Sequence, residues 1–274
     1  MKANLTQVMP APSPRHKVVG LTITACGYDQ FIDQVIDAAR HRESGYACFA
    51  NAHMIVEAAR NPTFRQAVNR STWTLADGVP LTWALRWLYG IRQERITGLD
   101  VLPTLFREAD RHQLAVYIYG STGEVLAMCN RYCLHHHPTL RIVGMYSPPF
   151  RPLSPAEEAQ VTTQISLSGA QLVFVALGCP RQEAWMAALS DRIPAVLLGI
   201  GGALPVTVGS QKRAPRWMQR SALEWLYRFM QEPRRLFARY AVTNTLFLYY
   251  LAQQWYRQQR PLPADPAELT DSYL

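Results

Sequence analysis

QLVFVALGCPRQEAW (171–185) opens with a nearly unbroken apolar run, passes a glycine, a cysteine and a proline, and then becomes polar. A run this short and rich in β-branched residues fits a central parallel strand covered on both faces. The polar half that follows reads as the first turn of a helix. AVLLGIG (195–201) has the same apolar character, so two such strands stand close together in the chain.

Working outward, β-branched runs recur at 17–24, 46–51, 72–76, 115–120 and 141–147, with helix-period segments at 28–42, 53–69, 99–112, 122–136, 155–167 and 181–190. Strands alternating with helices specify an α/β fold, a Rossmann-like parallel sheet with helices on both faces. We place this domain at 17–205, after a flexible arm at 1–16. Beyond Pro205 the β pattern stops, and 206–260 reads as a helical appendage of two helices divided near Pro233, with a tail at 261–274.

The charge is segregated. Residues 205–260 hold ten Lys and Arg against Glu224 and Glu232, which accounts for the whole net charge of +8. Such asymmetry points to an anionic partner met by the appendage. Five cysteines without a CxxC pair suggest neither a disulfide framework nor a zinc knuckle. The N-terminal segment is proline-rich and has no apolar core, unlike a signal peptide, and no stretch reaches the apolar length of a membrane span. A cytoplasmic protein is expected.

In an open parallel sheet, ligands lie beyond the carboxyl ends of the strands. Five segments occupy such positions: ANAH (50–53), ADGVP (76–80), YGSTGE (119–124), LGCPRQEAW (177–185) and GIGGALP (199–205). Gly120, Ser121, Thr122 and Gly123 form either an anion site of helix-terminal amides or a tight turn that binds nothing. Gly201 and Gly202 carry the same two readings. Asp77 is placed either to accept a proton from a substrate hydroxyl or simply to make an Asp-Gly turn. Arg181 suits phosphate and Gln182 suits sugar or base edges, while Cys179 reads as a packed side chain. HHH (135–137) is a poor metal site, since consecutive residues cannot share a helix face. No Asp-x-Asp metal clamp occurs.

Taken together, FANAHMI, LADGVPLTWA, ERITGLD, LGCPRQEAW and KRAPRWMQRSALEWLYRFMQEPRR resemble the WecG/TagA/CpsF glycosyltransferases, glycosyltransferase family 26, from about residue 17 to 240. The resemblance implies inverting, metal-independent transfer of a hexose or N-acetylhexosamine-type sugar from a UDP-sugar to a polyprenyl-diphosphate-linked saccharide, with no cofactor. It implies an enzyme of the bacterial cell envelope or exopolysaccharide synthesis, bound peripherally at the cytoplasmic membrane face. Asp77 matches the catalytic base, and Asn51, Arg95 and Gln182 match pocket residues. Arg228 and Arg235 match phosphate-facing arginines of an appendage that docks on an anionic membrane surface.

Phe49, Pro80, Leu204, Pro205 and Ala238 depart from the family pattern, mostly near the donor pocket. Two rival classes compete with this reading. A nucleotide-dependent oxidoreductase wants GxGxxG after the first strand, where this chain reads TACGYD. A nucleic-acid-binding protein explains the basic, Trp-rich end but leaves the strand-end motifs idle, so nucleic acid is not expected as a partner. A homo-oligomer is compatible with the apolar helix near 81–90.

Overall fold

The computed structural model describes residues 13–220, 223–231 and 233–259. The chain begins with β1 (Arg15–Val18), β2 (Leu21–Thr24), α1 (Tyr28–Arg40) and β3 (Gly45–Ala50). It continues through α2 (Ala52–Arg60), α3 (Pro62–Asn69), β4 (Trp73–Ala76), α4 (Val79–Tyr89), α5 (Gly98–Arg111) and β5 (Ala115–Gly120). Next come α6 (Gly123–His136), β6 (Arg141–Tyr146), α7 (Pro155–Leu167), β7 (Leu172–Ala176), α8 (Arg181–Leu189), β8 (Val196–Gly199) and α9 (Ala203–Thr207). The basic tract forms α10 (Arg216–Arg220), α11 (Glu224–Gln231) and α12 (Pro233–Gln259).

Six strands make one sheet in the order β4-β3-β8-β7-β5-β6, with every neighbouring pair parallel. Side chains alternate across it as strand geometry requires. Val173 and Val175 of β7 join a core with Met54, Leu81, Trp185 and Met186, whereas Leu172 and Phe174 face Phe31, Leu102, Phe106 and Cys129. The expected α/β sheet with helices on both faces is therefore present. Phe174 is fully buried between the layers, so truncating it to alanine costs about 3–5 kcal/mol.

One strand candidate is corrected. Residues 17–24 do not enter the parallel sheet but fold into the antiparallel hairpin β1-β2. The turn is made by Val19 and Gly20, both at positive φ, 47° and 90°. Primed two-residue turns favour Asn-Gly, and a β-branched residue at the first position hides the signal. The helix expected over 53–69 also divides, because Pro62 occupies the first turn of α3 and Asn61 Oδ1 accepts the Phe64 amide at 3.0 Å.

Past the sheet, the helix expected before Pro233 is two shorter ones, α10 and α11, and Pro233 itself opens α12. The last helix packs along α2 and buries Phe247 and Leu251 in the core beneath it. Gln254 then clamps the hairpin, accepting from the Val19 amide at 2.6 Å and donating to the Lys17 carbonyl at 2.8 Å. Three of the departures from the family pattern, Phe49, Pro80 and Leu204, have local structural reasons. Phe49 turns away from the strand ends into the core under α1, its ring edge-on to Phe31 at 6.1 Å. Pro80 sits in the first turn of α4, where no helical amide is lost, and Leu204 is fully buried.

Candidate active site

β7 and β5 are neighbours, yet the helix after β7 packs with α3 on one face and the helix after β5 packs with α9 on the other. A crevice opens at the carboxyl edge where connections diverge in this way. Short backbone bridges then string the strand ends into a rim.

The Asp77 amide donates to the Ala50 carbonyl at 2.8 Å, which sets Asp77 beside Asn51. Asn51 caps α2, its Oδ1 accepting from the His53 and Met54 amides at 3.1 and 3.2 Å. Capping occupies the carbonyl end, so Nδ2 is the end that can donate to a ligand. A Cβ on Gly78 would stand 3.6 Å from the Asn51 Cβ, and the missing side chain lets the two turns approach. On the other side of Asp77, the Ile96 amide donates to the Ala76 carbonyl at 3.0 Å. That bridge brings Arg95 to the end of β4.

Arg95 does not point alone. Its Nη1 donates to Glu224 Oε2 at 2.6 Å, and Arg213 lies 2.6 Å from Asp100 Oδ1 and 3.5 Å from Glu224 Oε1. Two arginines and two carboxylates thus join the loop before α5, the first turn of α5 and the start of α11. The sequence singled out Arg95 but missed Glu224, Arg213 and Asp100. The available signal was an acid kept within a tract of ten basic residues.

Gln182 is buried, and its amide is committed within the fold. Oε1 accepts from the Gly178 amide at 3.2 Å, while Nε2 donates to the Gly199 carbonyl at 3.0 Å and to Glu183 Oε1 at 2.8 Å. It pins the ends of β7 and β8 together rather than projecting into solvent. A Cβ on Gly201 would stand 3.1 Å from Gln182 Oε1, so that glycine at φ 43° accommodates the clamp. Glu183 behind it is fully buried, and burial raises its carboxyl above the usual carboxylate range, favouring the neutral acid.

At the next strand end, Gly120 has φ 110° and a Cβ there would lie 2.6 Å from the Ala176 carbonyl. Ser121 follows at φ 63°, its amide donating to the Ala176 carbonyl at 2.9 Å. Thr122 caps α6 through the Val125 amide at 3.3 Å, and a Cβ on Gly123 would meet open space. Gly202 leads into α9 and is also open. Arg181 is exposed at the start of α8, its guanidinium 5.2 Å from the Phe150 ring. The structure therefore brings Asn51, Asp77, Arg95, Gln182 and Gly201 to one rim, with the Gly120 to Gly123 turn and Arg181 across the β7 end. Arg228 and Arg235 fall in α11 and α12, but their side chains lie outside the described part, as do the expected tail at 261–274 and residues 1–12 of the arm. Among the described residues, no group of three His, Cys, Asp or Glu side chains is placed to hold a metal ion.

The family model for the glycosyl transferase WecG/TagA/CpsF family matches residues 16–261. The chain belongs to the WecG/TagA/CpsF glycosyltransferase family. It is also 32% identical over 187 residues to the N-acetylglucosaminyldiphosphoundecaprenol N-acetyl-beta-D-mannosaminyltransferase of Bacillus spizizenii, covering 68% of this chain and 71% of that protein. The glycosyltransferase reading thus prevails over the oxidoreductase and nucleic-acid readings. In this glycosyltransferase the rim at the carboxyl edge of the sheet is the candidate active site, and no described helix is long and apolar enough to cross a membrane.

Proposed function

We propose that this glycosyltransferase moves a hexose or N-acetylhexosamine-type sugar from a UDP-sugar to a polyprenyl-diphosphate-linked saccharide in cell-envelope or exopolysaccharide synthesis. The relative's name supports the acceptor class, since that enzyme works on a diphosphoundecaprenol-linked sugar. The observation that carries the mechanism is the placement of Asp77 between Asn51 and the Arg95 loop at the end of β4.

In the proposed step the acceptor hydroxyl oxygen attacks the anomeric carbon, and the bond from that carbon to the UDP oxygen breaks. The hydroxyl proton passes to Asp77, and the displacement inverts the anomeric configuration because attack and departure occupy opposite faces. UDP leaves with added negative charge on its diphosphate. The Thr122 and Gly123 amides at the start of α6 and cationic side chains such as Arg181, Arg228 and Arg235 meet that charge, so no metal or cofactor is required. The basic helices hold the protein against an anionic membrane surface at the cytoplasmic face, where the lipid-linked acceptor resides.

The test is UDP release from a panel of UDP-sugars with a polyprenyl-diphosphate-linked N-acetylhexosamine acceptor, without added divalent metal. One sugar nucleotide is expected to turn over, giving an anomer opposite to that of the donor. Failure of every UDP-sugar would refute the donor class, and retention of configuration would refute the single displacement.

A further inference from the structure

Helix α4 starts immediately after Asp77 and Gly78, so whatever α4 touches lies at the mouth of the site. Its inner face is core, with Leu81, Ala84 and Leu85 fully buried. Its outer face presents Trp83, 70% exposed, and Trp87, 52% exposed, one helical turn apart. Cα–Cβ bonds lean toward a helix N-terminus, so both indoles tilt toward the Asp77 end. Trp83 is four residues into α4, about 6 Å along its axis.

This aromatic face continues onto α12. Trp255 stacks on Trp87 with ring centres 5.5 Å apart and planes 14° off parallel, and Leu248, 64% exposed, lies two turns earlier on the same stripe of α12. Neither helix contains an Asp or Glu, and the exposed Arg86, three residues after Trp83, flanks the tryptophans on the outer face of α4. Exposed indoles on an acid-free, arginine-bearing surface match a membrane interface, where the rings enter the headgroup layer and the cations meet lipid phosphate. A two-fold contact between copies would instead set the same arginines against each other.

We infer that Trp83 and Trp87 of α4, with Trp255 and Leu248 of α12, form an interfacial anchor that seats the mouth of the site on an anionic lipid bilayer. The inference rests on the membrane-peripheral reading above and deepens it: α4, and not the basic helices alone, sets the depth and orientation of docking. The acceptor's diphosphate then lies at the height of Asp77, and its hydroxyl reaches the carboxylate without leaving the bilayer.

The test is flotation of the full chain with vesicles of mixed phosphatidylethanolamine and phosphatidylglycerol, compared with pure phosphatidylcholine. Trp83→Ser/Trp87→Ser is expected to weaken binding to the anionic vesicles by about tenfold or more. Trp83→Ser alone, which breaks no stack, gives a smaller loss in the same direction. Turnover of a water-soluble short-chain diphosphate-linked acceptor stays within about twofold of wild type in both variants. Vesicle binding that is unchanged in the double variant overturns the inference. So does a wild-type dimer in lipid-free sedimentation that the double variant converts to monomer while still binding vesicles, since the face would then join two copies. Absence of any turnover in wild type would refute the transferase reading while leaving the vesicle result to stand by itself.

Discussion

Arg95 and Glu224 meet at 2.6 Å across 129 positions of sequence, tying the loop beside the candidate base to the first described turn of α11. Their side chains are 24% and 14% exposed, so solvent screens the pair less than a surface bridge. A double-mutant cycle of Arg95→Ala and Glu224→Ala should give a coupling of about 1–3 kcal/mol in urea unfolding. Either single variant should also raise the donor KM, because each frees the other charge and loosens the loop next to Asp77. A coupling near zero would show that the appendage is held elsewhere.

The turn after β5 offers a contrast between two glycines. Gly120→Ala places a Cβ at φ 110° and 2.6 Å from the Ala176 backbone, so it should destabilise the protein by about 2–4 kcal/mol. Gly123→Ala meets no atom within 4 Å at the start of α6 and should change stability by less than about 0.5 kcal/mol. Urea unfolding of both variants checks the pair. Equal effects would mean that the turn is not held as described.

Glu183 makes a pH prediction. Its folded pKa is raised, chiefly by burial, so the native state holds its proton to higher pH than the unfolded chain. This group's contribution is fully present below the unfolded value and is lost as pH rises through the folded value. Glu183→Gln keeps a carbonyl for Gln182 Nε2 but cannot ionise. Its Tm should therefore gain on wild type as pH rises above the ordinary carboxylate range, and a difference that stays constant with pH would contradict the assignment.

Much of the fold was legible because its signals are local. The apolar runs of β7 and β8, the alternation of strands with helices, and the charge tract after Pro205 all lie in consecutive residues. The hairpin was not legible, since Val19 is the last residue type expected at positive φ. The rim was legible as a set of strand ends, but its wiring was not. Nothing near Gln182 announces that its amide locks β7 to β8, because the partners come from Gly178 and Gly199. Likewise, Glu224 gains its meaning only when Arg95 and Arg213 arrive from distant segments. The segment near 81–90 reads as an apolar helix, which suits a subunit interface. Its continuation onto Trp255 needed the docking of α12.

The central claim is that Asp77 takes the proton of the attacking hydroxyl. The direct measurement is kcat for transfer to the lipid-linked acceptor by Asp77→Asn and by wild type, with donor binding followed in parallel. Loss of a positioned general base should lower kcat by about 10²–10⁴-fold and leave donor affinity nearly unchanged. A variant that turns over at the wild-type rate would contradict the account.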